Sequence, residues 1–184
     1  MVLTRPRLKQ SYFPEPLPGI SRIKEINILG VTYSSCLGIS QHIANQISKC
    51  SSLLYALKIL KSKSLSHTDV QQVFNALVIA RLLYSCQAWW GFASMDDISR
   101  LKGFIKRSKK HGYCNDNFDL DDQRKKLDAK LFRNIARNEH HVLHQFLPPP
   151  TNHKYNLRER NHDFMTPVLT SLSCKNFLNR MMFS

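Results

Sequence analysis

From Ile39 onward the apolar residues recur at intervals of three and four, a period that commits most of the chain to amphipathic helices. Ile39, Ile43, Ile47, Cys50, Leu54 and Leu57 share one face of a helix expected to reach about Leu60. Ser35 or Gly38 is expected at its start, and Lys58, Lys61 and Lys63 suit the negative end of its dipole. A second helix is expected from Ser66, whose hydroxyl can cap the Asp69 amide, to about Trp90. Its inward residues would be Val70, Val73, Phe74, Leu77, Ala80 and Tyr84, a broad face suited to a core helix. A third, from Ser94 to around Gly112, carries Ile98, Leu101 and Ile105. A fourth, from about Leu120 to Leu147, turns Leu127, Leu131, Ile135 and Val142 inward and is stopped by Pro148, Pro149 and Pro150. A short helix from Lys175 to Met182, with Phe177, Leu178 and Met181 to pack, closes the chain.

Ahead of the helices lie two β-type runs, Met1 to Thr4 and Ile26 to Tyr33. Between them Pro6, Pro14, Pro16, Pro18 and Gly19 argue against helix. Two strands with one linker do not make an independently stable sheet, so this end reads as part of a larger one. The expected fold is mainly α: a short N-terminal β stub, a bundle of about four helices and an extended tail. The corresponding segments are 1–33, 34–112, a basic helix in 113–147, and 148–184.

Lysine and arginine number 27 against 13 acids, a formal net charge of +14, which favours polyanionic partners. Much of that charge falls on the third and fourth helices. Arg100, Lys102, Lys106, Arg107, Lys109 and Lys110 lie in one, and Arg124, Lys125, Lys126, Lys130, Arg133 and Arg137 in the other. Such residues pair with phosphates without reading sequence. A solvated helix face is the plainer alternative for the same residues. Tyr113 and Phe118 are either base-stacking or core aromatics, and Trp89 and Trp90 are expected to pack where helices two and three meet.

The five cysteines have irregular spacing and no CxxC pair, so neither a disulfide framework nor a zinc site is signalled. A reducing, intracellular compartment is expected. The N-terminus has no apolar signal-peptide core, and the most apolar stretch, Val73 to Trp90, is interrupted by Asn75, Arg81 and Gln87, so no membrane span is expected.

No self-contained catalytic site emerges. Met95-Asp96-Asp97 and Leu120-Asp121-Asp122 imitate the paired carboxylates of a two-metal centre, but both open predicted helices, where the dipole favours acids. His111, Cys114, His140 and His144 match no zinc module and read as surface residues. No Gly-rich phosphate loop, nucleophile elbow, metal site or cofactor site is found.

An ordered series of short motifs adds a family. Leu29-Gly30-Val31, His42-Ile43, Leu54-Tyr55-Ala56-Leu57, Leu83-Tyr84 and Ala88-Trp89-Trp90-Gly91 are followed by Lys130-Leu131-Phe132, His144, Leu147-Pro148, Asn156-Leu157-Arg158 and Asn176-Phe177-Leu178-Asn179-Arg180. In order and spacing this resembles the region after the catalytic core in non-LTR (LINE-like) retrotransposon reverse transcriptases, and covers most of the chain. The resemblance implies that Met1 to Tyr33 are the last palm strands, with Leu29, Gly30 and Val31 near the hairpin that supports the primer. It implies that Ser40 to about Gly112 are the thumb, which holds the template and primer duplex. The family's aromatic-x-Asp-Asp motif would lie upstream, and neither an endonuclease portion nor a C-terminal zinc knuckle is recognisable.

The expected function is therefore weak, non-specific binding of RNA or RNA/DNA duplex, without polymerase activity of the chain's own. The expected contacts are Arg100, Lys102, Lys106, Arg107, Lys109, Lys110, Arg124, Lys125, Lys126 and Lys130. The alternative is a non-enzymatic protein-interaction remnant with exposed apolar surface.

Overall fold

The computed structural model describes residues 18–150, 162–168 and 170–183. The fold is mainly helical, with a two-stranded N-terminal sheet followed by several helices. The Met1 to Thr4 run and Asn156-Leu157-Arg158 lie outside the described residues.

The run read as one strand is a hairpin. β1 (Glu25–Ile28) pairs antiparallel with β2 (Val31–Ser34), with Ile28 opposite Val31. Leu29 (φ 48) and Gly30 (φ 85) form the two-residue turn, both left-handed as a type I′ turn requires. The Asn27 carboxamide steadies it by accepting the Gly30 amide at 3.0 Å. Brief alternation could not distinguish one strand from two because a leucine occupies a position usually marked by Asn, Asp or Gly.

α1 (Ser40–Ser62) follows the expected period, burying Ile43, Cys50 and Leu57. Its N-cap is the buried Ile39, without side-chain capping; Ser34 instead accepts the Gly38 amide at 3.0 Å. His42 joins α1 to the hairpin, its Nδ1 accepting the Thr32 amide at 3.4 Å.

α2 (His67–Phe74) starts as expected, with the Ser66 hydroxyl accepting the Asp69 amide at 3.1 Å. It then enters a π turn (Asn75–Ile79) and a short α3 (Ala80–Leu82), and the backbone breaks at Ser85 (φ 50). The expected single helix to Trp90 is therefore corrected. A π turn accommodates an extra residue and rotates the face that follows. Val78, Ile79, Leu82 and Leu83 are buried, whereas Leu77, Ala80 and Tyr84 are exposed. α4 (Cys86–Trp89) and a 3₁₀ turn (Trp90–Phe92) complete the stretch.

α5 (Met95–Lys110) agrees closely with expectation. Ser94 and Asp97 form a capping box, and Leu101, Phe104, Ile105 and Ser108 are buried. α6 (Leu120–Arg137) starts as expected after Asp119 but ends well short of Leu147. Asn138 stops it with extended backbone, its side chain accepting the His140 amide at 3.0 Å. This local hydrogen bond competes with helix continuation, and Val142 is exposed as a result. α7 (Phe177–Met182) is capped by Asn176, which accepts the Leu178 amide at 2.9 Å.

Of the described residues, 18–85 and 92–118 form one compact unit, and 86–91 with the residues from 119 onward form a second. In the first, α1 packs against β2, α2, α3 and α5. In the second, α6 packs against α4 and α7. Among the described residues after the prolines, Phe164 bridges Pro150, and His162 and Phe164 lie 5.7 and 6.4 Å from the Phe132 ring. No helix among the described residues is long and apolar enough to cross a membrane.

Candidate nucleic-acid interface

The basic face of α5 depends on how its opposite face is buried. Asp97 receives the Ser94 hydroxyl at 2.7 Å and the Ser40 hydroxyl at 2.8 Å. Burial raises its pKa, but these hydroxyls, the Ser94 amide and Arg100 outweigh burial and hold the carboxyl below its ordinary range. Asp97 therefore locks the start of α5 to the start of α1. With Leu101, Phe104 and Ile105 turned inward, Arg100, Lys102, Lys106, Arg107 and Lys110 are exposed. Lys102, Lys106 and Lys110 follow one ridge at four-residue intervals. Lys109 is half-buried and donates to the Asp116 carbonyl at 2.6 Å, while Arg100 lies 3.7 Å from Asp97.

On α6 the expected residues divide. Arg124 turns inward, paired with the buried Asp128 and placed over the Trp90 ring at 5.4 Å from its centroid. From α7, Arg180 approaches Asp128 at 3.8 Å and donates to the Gln87 carbonyl at 3.1 Å. The Arg124 guanidinium is thus committed to the packing of α6, which sets it apart from the other expected phosphate contacts. Lys125, Lys126 and Lys130 are exposed. Lys126 pairs with Asp122 at 2.7 Å, an exposed contact of the kind that contributes little.

A regular feature goes beyond the count of charges. Lys126, Lys130, Arg133 and Arg137 are all exposed and recur at intervals of four, three and four, on the side of α6 opposite Asp128, Phe132 and Ile135. At 1.5 Å per residue the stripe is about 16 Å long. The second half of this stripe was legible in the sequence only as charge density, because the inward-facing Asp128 and Phe132 were not recognised as core.

The hairpin residues are also separated by the fold. Val31 is buried, whereas Leu29, at 86% exposure, and Gly30 form the tip. The Tyr84 hydroxyl donates to the Leu29 carbonyl at 3.2 Å.

Other readings of single residues resolve in the same way. Tyr113 is buried with Lys61 Nζ 5.8 Å from its ring, and so belongs to the core. Trp89 is buried and lies 5.5 Å from the Trp90 ring. Met95-Asp96-Asp97 and Leu120-Asp121-Asp122 open α5 and α6. Among the described residues no three His, Cys, Asp or Glu side chains are grouped to hold a metal ion. Compared with protein families, curated proteins and solved structures, the chain matches none.

Proposed function

We propose that the chain is the thumb-like C-terminal part of a non-LTR retrotransposon reverse transcriptase. In this reading it binds RNA or RNA/DNA duplex through phosphates, without sequence preference and without polymerase carboxylates of its own. The observation that carries the binding role is the α6 stripe of Lys126, Lys130, Arg133 and Arg137. Four cations on one ridge of α6 suit a polyanion better than a compact ligand; within the other unit, Lys106, Arg107 and Lys110 are exposed on α5. The ordered motif resemblance supplies the family.

Filter binding of a labelled RNA/DNA hybrid across a salt series tests this reading. Affinity is expected to fall steeply with salt as counterions are released, and Lys130→Ala/Arg133→Ala/Arg137→Ala should flatten the slope by roughly two to three. Absence of binding at low salt overturns it.

A second reading, protein association, rests on exposed apolar residues around the hairpin: Ile20, Ile23, Ile28 and Leu29. Size-exclusion chromatography and binding of a hydrophobic dye test it; a dye-silent monomer counts against it.

A further inference from the structure

Beside the hairpin tip lies a cleft of ≈ 590 Å³, lined by Leu29, Gln46, Lys49, Leu77, Arg81 and Tyr84 among others. Its volume falls in the usual range for small-ligand sites, about 300–1,000 Å³. Lys49 and Arg81 contribute two cations, and among the described residues no acidic side chain lines it. Leu77 and Tyr84 are about half exposed, at 48% and 53%.

This arrangement results from the π turn. By rotating the helix, it buries Val78 and Ile79 and leaves Leu77, Ala80, Arg81 and Tyr84 to line the cleft. π turns are frequent at functional positions. The bond from Tyr84 to the Leu29 carbonyl holds the ring against the hairpin. Gln46 adds a polar feature: its Oε1 is buried without a hydrogen-bond partner among the described residues. A buried acceptor left unpaired is costly, and a ligand carrying a donor would satisfy it.

We propose that this cleft is a nucleotide subsite for single-stranded nucleic acid. The phosphate is held by Lys49 and Arg81, the base lies against Tyr84 and Leu77, and a base N–H donates to Gln46 Oε1. A simple carboxylate anion has no such donor. The inference rests on the nucleic-acid reading above but assigns the single strand to a site separate from the α6 stripe.

The test uses the full chain, with fluorescence anisotropy of labelled short RNA and DNA oligomers and of a blunt RNA/DNA hybrid. Lys49→Ala/Arg81→Ala is expected to weaken oligomer binding roughly tenfold or more while hybrid binding changes much less. Tyr84→Leu should also weaken oligomer binding roughly tenfold, and Tyr84→Phe, which keeps the ring, should weaken it less. Photocrosslinking of a 4-thiouridine oligomer should map to the peptide around Tyr84. Competition by a nucleoside monophosphate would identify the free nucleotide as a ligand; competition only by oligomers would identify the strand. Oligomer affinity unchanged in both cleft variants, or equal competition by poly-glutamate, overturns the proposal. Loss of hybrid binding in the α6 variant with oligomer binding retained supports it. A wild-type chain that binds neither probe overturns the nucleic-acid reading itself.

Discussion

The Ser40 hydroxyl donates to the Asp97 carboxylate at 2.8 Å, joining the first residue of α1 to the N-terminal capping box of α5 across 57 positions of sequence. Asp97 thus satisfies orphan groups at the start of its own helix and ties that helix to another. Asp97→Ala is expected to cost about 2 kcal/mol, and Ser40→Ala about 1 kcal/mol, in chemical denaturation.

The pH dependence should have two windows. Burial, with Lys49 contributing, lowers the His42 pKa, so the unfolded chain binds this proton more readily than the folded one. Stability is therefore full above the unfolded value, about 6.5, and declines as pH falls below it. The Asp97 pKa is also depressed, although burial alone would raise it. Its contribution is present above about pH 3.9 and is lost as pH falls further. Denaturation series at several pH values should show His42→Asn removing the upper window and Asp97→Asn the lower one.

Asp128 lies between Arg124 and Arg180, with all three side chains largely buried. Removing the acid leaves two cations desolvated without their partner, so Asp128→Ala should destabilise by about 3–5 kcal/mol. Replacing the three residues together with Met, Leu and Met is expected to restore most of the loss in thermal unfolding.

Gly91 has no room for a side chain, because a Cβ there would overlap the Lys175 carbonyl oxygen. Gly91→Ala should cost about 1–3 kcal/mol and increase proteolysis around α7. An unchanged protease pattern would contradict the close backbone approach.

Leu29 holds a left-handed conformation that costs L-residues about 1–2 kcal/mol. Leu29→Asn creates an Asn-Gly turn and should raise the melting temperature, since the Tyr84 bond goes to the Leu29 backbone.

Thiol labelling at pH 8 should separate the cysteines. Cys36 and Cys174 are exposed, while Cys50, Cys86 and Cys114 are buried. Burial pushes the Cys50 thiol up to about 11; burial and then Asp128 do the same for Cys86, against the opposing effect of Arg124 and Arg180. Cys36 and Cys174 should react first, and the buried three only after denaturant is added.

The start of α2 was legible because Ser66 and the Asp69 amide it accepts lie three residues apart, and the starts of α5 and α6 because paired acids occupy the first turn, where the helix dipole favours them. The inward faces of α1 and α5 were legible because an uninterrupted helix keeps one period. The same local chemistry made the basic density of α5 and α6 visible. Tertiary packing settled the rest. A π turn rotated Leu77 and Tyr84 to the surface, a shift of one residue that periodicity alone cannot locate. Arg124 turned from expected phosphate contact to packing element because Trp90, Asp128 and Arg180 gather around it. Arg180 reaches the Gln87 carbonyl across 93 positions. Which charges face solvent and which are neutralised inside depends on such distant partners, so the α6 stripe emerges only after the fold has consumed the other charges.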